Sequence, residues 1–378
     1  MSILCPCPTS PPAPPPMEDD DLLSEILLRL PPQPSSLPRA SAACKRWRCL
    51  VSDPAFTRRF RRHHHSRNPP PLLGFFSQDA AGITFNPTMD PPDRVSPGRF
   101  TVLPEARVHS KILGCRHGLL LMFHQKLKRV LVWDPVTGDQ RSRAVPHPLV
   151  FGTDKTPRGA VLRAAGDAHH FRVVLASCDR HEQHTRAFAC IYSSETGVWS
   201  DLISTLVPSE DYMTLSTMPP VLIGDSLYWI ITGNWRAVLK FDLNMLSLAV
   251  IHLPLDKFAC CKPWNITVVP AEGGGPGLLL VSDLTAQLWN RNTDCDGVAS
   301  WVLTRTVELD KLLSLDSEER RFLMIIGFAE YKNAIFLQTD VSLFMVQLES
   351  LQFKKFPVPI IGRFYHPFES IYAADREV

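Results

Sequence analysis

Two histidine clusters are the first residues whose chemistry has to be weighed, because neighbouring imidazoles are the commonest ligands for transition metals. His63-His64-His65 are consecutive, so their side chains leave the backbone in different directions and do not converge on one ion. His181 and His184 stand three apart in a polar segment, without the HExxH spacing of a zinc hydrolase. Both clusters read as solvated surface. Gly273-Gly274-Gly275-Pro276-Gly277 could cradle a phosphate, but no Gly-Lys-Ser/Thr or GxGxxG follows, and Leu278-Leu279-Leu280 makes it a hairpin loop. There is no Gly-x-Ser-x-Gly elbow, no recognisable Ser/His/Asp order and no framed pair of carboxylates. The ten cysteines include no CxxC pair, and Cys5/Cys7 and Cys260/Cys261 fit neither a zinc site nor a secreted disulfide framework. Most read as reduced, buried thiols, Cys178 and Cys260 among them. No catalytic residue, metal or cofactor is expected.

Charge is the next possible source of function. The net charge of the 378-residue chain is +2, yet residues 37–67 alone carry +8. A basic run of that kind could bind nucleic acid. Between Lys45 and Arg62, however, Trp47, Phe56 and Phe60 recur at core spacing, so the run reads as the solvated face of a folded unit and no nucleic-acid partner is expected. No apolar stretch reaches the ~18 residues that span a bilayer. Met1 to Pro16 has neither the cationic start nor the apolar centre of a signal peptide, which points to the cytosol or nucleus and to no membrane partner.

The elements that position these residues are marked by proline. Of 34 prolines, 19 fall in the first 97 residues, which excludes a long-helix bundle. Residues 1–17 are a Pro-rich tail with too little apolar content to fold. From residue 18 the pattern becomes helical. Leu22, Leu23, Ile26, Leu27 and Leu30 share one helix face, Asp19, Asp20 and Asp21 complement the positive end of its dipole, and Pro31-Pro32 stops it. A second helix is expected from Ser35 or Ser36 to about Ser52, through Ala40, Cys44, Trp47 and Val51. A third starts at Asp53-Pro54 and carries Phe56 and Phe60 to the His63–His65 end. A module of under fifty residues has a marginal core, and some of its apolar surface is expected to be shared with a partner.

The residues of this module carry a resemblance. Asp21-Leu22-Leu23-Ser24-Glu25-Ile26-Leu27-Leu28-Arg29-Leu30-Pro31, then Leu37-Pro38-Arg39-Ala40-Ser41-Ala42-Ala43-Cys44-Lys45-Arg46-Trp47-Arg48, then Val51-Ser52-Asp53-Pro54-Ala55-Phe56 together resemble an F-box. The resemblance implies docking on the SKP-type adaptor, and through it on the cullin, of an SCF ubiquitin ligase.

Beyond a Pro-rich linker at 66–71 the hydrophobic period falls to two. Strand-like pieces at 119–123, 130–133, 171–176, 188–192, 226–231, 238–241, 278–281 and 334–337 alternate with turn residues. Weak repeats recur at 130–138, 190–199, 238–244, 286–292 and 343–348, and a turn-then-strand piece recurs at 114–120, 223–229 and 330–336. The period of roughly 40–50 residues is that of a four-stranded propeller blade. Pro104, Pro146, Pro208, Pro254 and Pro357 are placed after the last strand of a unit, outside its ladder. Residues 72–378 are therefore expected to form a β-propeller of about six blades, with 368–372 closing the ring beside the first. The segment resembles the kelch-like, F-box-associated propeller of plant F-box proteins, Trp133-Asp134-Pro135-x-Thr137-Gly138 being the best of its motifs.

The fold expected is thus multidomain: a small all-α module at 18–65 and an all-β propeller. The function implied is that of a non-enzymatic substrate receptor, its propeller holding an unidentified target protein. The adaptor contacts are expected from Leu22, Leu23, Ile26, Leu27, Leu30, Pro31, Leu37, Cys44 and Trp47, with Cys44 and Trp47 partly structural. Two alternatives stand beside it: an adaptor-binding scaffold that turns over no target, and a propeller enzyme with a central site, which several His, Tyr or Cys side chains converging on the channel would favour.

Overall fold

The structure, a computed structural model, describes residues 19–65, 69–79, 82–102, 109–149, 156–163, 170–181, 184–208, 213–233, 236–254, 258, 262–293, 298–357 and 365–372. The tail 1–17, residues 66–68 of the linker, Pro104, Cys5, Cys7, Cys260 and Cys261 lie outside them, as do the side chains of His65 and His181. The chain divides into two units, Met1–Asn68 with Ile371–Val378, and Pro69–Ser370.

Asp19 starts the helical unit. Its Oδ1 accepts from the backbone N–H groups of Asp21 (2.9 Å) and Leu22 (3.3 Å), and α1 runs over Asp20–Leu28. The expected second helix is two helices. In α2 (Ser36–Ser41) the last turn tightens, the N–H groups of Ala42 and Ala43 reaching carbonyls only three residues back, and Cys44 then takes an extended conformation. From there Cys44 caps α3 (Lys45–Ser52), its Sγ accepting from the Trp47 N–H at 3.5 Å. Asp53 caps α4 (Pro54–His65) through the Ala55 N–H at 2.9 Å, with Pro54 in the first helical position, where its missing donor costs nothing. Leu23, Leu27, Leu28, Leu37, Phe56 and Phe60 form the core of the unit, and Ile371 from the far end of the chain is buried with them. Each such side chain contributes roughly 1.5–3 kcal/mol by leaving water. His64 corrects the solvated reading of its cluster. It continues the Phe56–Phe60 stripe by one turn, with its ring 4.5 Å from that of Phe60, and burial holds its imidazole below the ordinary range.

The second unit is the expected propeller, six sheets in sequence. The first joins β1 (Leu72–Asp79) and β2 (Gly82–Pro87). The second holds β3 (Ser110–Arg116), β4 (Leu119–His124), β5 (Arg129–Trp133) and β6 (Gln140–Ala144), and the third β7 (Arg158–Arg163), β8 (Phe171–His181), β9 (His184–Ser193) and β10 (Ile203–Val207). The fourth has a broken first strand, β11 (Thr214–Leu215) and β12 (Val221–Ile223), before β13 (Ser226–Thr232), β14 (Ala237–Asp242) and β15 (Ser247–His252). β16 (Ile266–Pro270), β17 (Pro276–Ser282), β18 (Thr285–Thr293) and β19 (Ala299–Glu308) make the fifth. β20 (Met324–Ala329), β21 (Ala334–Gln338), β22 (Ser342–Gln347) and β23 (Phe353–Pro357) make the sixth. All pairings are antiparallel. The ring is closed by β24 (Tyr365–Glu369), which pairs with β1 as the third strand of the first sheet. The closing strand therefore begins three residues before the expected 368.

The five weak repeats are the third strands β5, β9, β14, β18 and β22 with the turns that follow. The turn residues explain two of the repeats physically. Asp134 Oδ1 accepts from the N–H groups of Val136 and Thr137, while Gly138 takes a φ of 81° that favours glycine. Asp242 repeats the device toward Asn244 and Met245. Neighbouring blades are joined by recurrent ties: Trp199 Nε1 donates to Ala144 O (2.8 Å) and Trp301 Nε1 to His252 O (3.0 Å). Pro146, Pro208 and Pro254 follow β6, β10 and β15 as expected, whereas Pro357 is the last residue of β23. Gly273–Gly275 lie in the β16–β17 hairpin loop, whereas Pro276 and Gly277 already belong to β17, paired with Pro270 and Val269.

Candidate partner-binding face and channel pocket

The structure divides the nine candidate adaptor residues. Leu23 (0% exposed), Leu27 (1%) and Leu37 are core and hold the helical unit together. Leu22 (48%) and Ile26 (44%), four residues apart on α1, point outward. The face was expected to be single because i, i+1, i+4, i+5 spacing covers a wide arc, and burial splits that arc into an inner and an outer half. Pro31 and Cys44 are exposed, and Leu30 and Trp47 are half-buried. Cys44 is held at the start of α3 by its capping bond to the Trp47 N–H. Two members of the basic run lie on acidic residues of α1: Arg46 Nε is 2.7 Å from Asp20, and Arg59 reaches Glu25 (2.7 Å) and Ser24 (3.2 Å). These exposed pairs orient the helices and add little stability.

Of the described cysteines, Cys178 and Cys190 are buried, with thiols pushed up to about 12 by burial, Cys115 is half-buried, and Cys44 and Cys49 are exposed.

In the propeller unit the first strands of several blades surround a pocket that motif reading missed. The room it offers to the centre of a water-sized group is about 30 Å³, against about 530 Å³ when the open mouth and its solvent are counted. Arg116, at the end of β3, donates through Nε to Glu330 Oε2 (2.7 Å) and through Nη2 to Glu330 Oε1 and to Pro220 O (2.7 Å). Glu330 Oε1 also accepts from the Leu222 N–H at 3.0 Å. These hydrogen bonds join four blades at the pocket, counting Glu369 of β24, whose carboxylate accepts from the N–H groups of Tyr331 (3.2 Å) and Lys332 (2.9 Å), and Thr267 of β16 adds a fifth to the lining. Burial, reinforced by the charge of Glu330, lifts the Glu369 carboxyl to about 7. His366, two strand positions from Phe368, is buried with Nδ1 lacking a hydrogen-bond partner, and burial lowers its imidazole to about 3. Cys115, His117, Tyr331 and Tyr365 also line the space. Burial pushes Tyr331 and Tyr365 up to about 12 and raises the Cys115 thiol, an effect that Glu369 increases. The one signal for this site in the sequence is that the turn-then-strand repeat carries Arg116-His117 in one copy and Glu330-Tyr331 in another. Among the described residues no group of three or more His, Cys, Asp or Glu side chains is placed to hold a metal.

Comparison with known proteins bears on both units. An F-box-like description matches residues 20–63. The description "F-box protein AT5G49610-like, beta-propeller" matches residues 111–357, well over half of the chain. The F-box/kelch-repeat protein At3g17530 of Arabidopsis thaliana is 28% identical over 247 residues, covering 63% of this chain and 61% of that protein. The F-box protein At5g07610 of the same plant is 23% identical over 255 residues, covering 62% of this chain and 56% of that protein. The chain thus spans less than two thirds of the length of these relatives. Among solved structures, a luciferin-regenerating enzyme superposes with a TM-score of 0.37 at 9% identity, covering 68% of this chain and 79% of that one, a likeness that says nothing about activity. With a short helical F-box region followed by six sheets closed into a ring, the chain belongs to the F-box proteins that carry an AT5G49610-like β-propeller.

Proposed function

We propose that the protein is the substrate-recognition subunit of an SCF-type ubiquitin ligase, α1 docking on an SKP-type adaptor and the propeller holding the target. The observation that carries this reading is the exposed Leu22/Ile26 pair on an otherwise well-packed F-box-like unit. An apolar face of that kind suits helix-in-groove recognition, in which each half-exposed side chain gains about 1 kcal/mol or more on full burial. Pro31, Leu30 and Trp47 extend the contact, while Leu23, Leu27 and Leu37 support it from beneath. The receptor contributes proximity alone, because tethering raises the target's effective concentration beside a charged ubiquitin enzyme. The test is co-purification of an SKP-type adaptor with the full chain and with the Leu22→Asp/Ile26→Asp variant. Adaptor affinity should fall by about 100-fold or more, the equivalent of ~3 kcal/mol, with the fold unchanged. Leu27→Asp is expected to unfold the helical unit and so does not distinguish contact from support.

The condition set for a propeller enzyme, His, Tyr and Cys side chains converging on the channel, is met in composition by Cys115, His117, Tyr331, Tyr365 and His366. Their environment argues for binding instead. The Cys115 thiol and both phenols are held in neutral, weakly nucleophilic forms, and His366 is too weak a base to take a proton near neutrality.

A further inference from the structure

We propose that the channel pocket of the propeller is a binding site for a compact cationic nitrogen, a primary ammonium on a short apolar body. The guanidinium of Arg116, buried at the pocket wall, commits three of its five N–H groups to the two oxygens of Glu330 and to Pro220 O. An incoming anion would face two carboxylates, Glu330 already paired with Arg116 and Glu369 only 8% exposed. Acceptor capacity remains. His366, 5% exposed, lines the same pocket with Nδ1 unpartnered, and a neutral imidazole protonated on Nε2 offers a lone pair there. A buried acceptor without a donor is costly, and a ligand N–H removes that cost. The remaining walls, Met218, Pro219 and Phe328 with the Tyr331 and Tyr365 rings, suit an alkyl body and an aromatic face toward a cation.

The site has a built-in pH dependence. Glu369 is faced by Cys115 and Arg116 of β3, by His117 of the turn after it, by Glu330, Tyr331 and Lys332 of the β20–β21 turn, and by His366 of its own strand. Its carboxyl titrates at about 7, so below that pH the pocket loses one of its two negative charges. A bound ammonium favours the ionised form and expels the proton. Affinity should therefore rise with pH by up to about tenfold per unit between pH 5 and 7 and level off above. The inference does not depend on what the helical unit binds.

The test is calorimetry on the full chain with butylammonium, butanol and butyrate as probes, repeated with a capped lysine peptide to separate a free amine from a protein side chain as the source. Butylammonium is expected to bind more tightly than butanol by tenfold or more, with proton release near pH 6.5, and butyrate not to bind. The peptide binding as well as butylammonium would make the natural ligand a target lysine, and butylammonium alone binding would make it a small amine; either supports the site. Glu369→Gln should abolish the pH dependence. Tyr331→Ala, on an exposed turn where misfolding is not at issue, should weaken butylammonium several-fold. Tighter binding of butyrate, or equal binding of butanol with no pH dependence, overturns the proposal, as does the failure of every probe to bind at tens of millimolar.

Discussion

Glu369 and His366 sit three residues apart on one strand and are shifted in opposite directions by the same cause, removal from water. For Glu369 the folded carboxyl, at about 7, lies above its unfolded value, so the fold binds the extra proton and loses stability as pH rises through the interval up to 7. For His366 the folded value of about 3 lies below the unfolded one, so stability is lost as pH falls below about 6.5. Between the unfolded carboxyl value and pH 6.5 the two slopes oppose each other. Glu369→Gln should unmask the histidine, and denaturant midpoints across pH 4.5–6.5 should then rise with pH by roughly 1.4 kcal/mol per unit, where the parent chain stays nearly level. The Arg116–Glu330 pair makes a second prediction. Arg116→Met alone leaves the Glu330 carboxylate without its counter-charge, held only by the Leu222 N–H, and the Pro220 carbonyl without the Arg116 donor; it should cost about 3–5 kcal/mol in urea unfolding, whereas Arg116→Met with Glu330→Leu should recover part of that loss. None of this was readable as a motif, because Arg116 and Glu330 are 214 residues apart and only closure of the ring brings them together.

Element boundaries were legible where a local residue enforces them and blurred where the enforcement comes from elsewhere. Asp19, Asp53 and Pro54 announce helix starts through their own side chains. The break between α2 and α3 did not announce itself, since Ala40, Cys44, Trp47 and Val51 keep helical spacing across it and the capping group is a cysteine. The closing strand was expected three residues too late, and it contains Pro367. In β24 that proline lies on the edge strand of its sheet, where a missing N–H is tolerated. The residues after β24 have a use that the sequence order hides: Ile371, 3% exposed, belongs to the helical core. Ile371→Asp should destabilise that unit by about 3 kcal/mol. Amide hydrogen exchange should show α1 and α4 losing protection while the strands of blades two to five keep theirs; unchanged protection in α1 would contradict the placement of Ile371.

At the scale of the whole molecule, the plan of a helical module followed by a ring of about six blades was legible because each level of the sequence agreed with it. Period two replaced period four after the prolines at 69–71, the third-strand repeats returned at blade spacing, and prolines marked the gaps between sheets. What was not legible was which half of an amphipathic face would be left outside. Leu22 and Leu23 are the same residue type in adjacent positions, and only packing against Leu37, Phe56 and Phe60 assigns one to the core and the other to solvent. The central claim rests on that assignment. It is tested most directly by co-purifying an SKP-type adaptor with the full chain and with Leu22→Asp/Ile26→Asp, while circular dichroism confirms that both are folded. The account predicts a stoichiometric complex with the parent chain and none with the variant. An adaptor retained by the variant, or never captured by the parent chain, would contradict it.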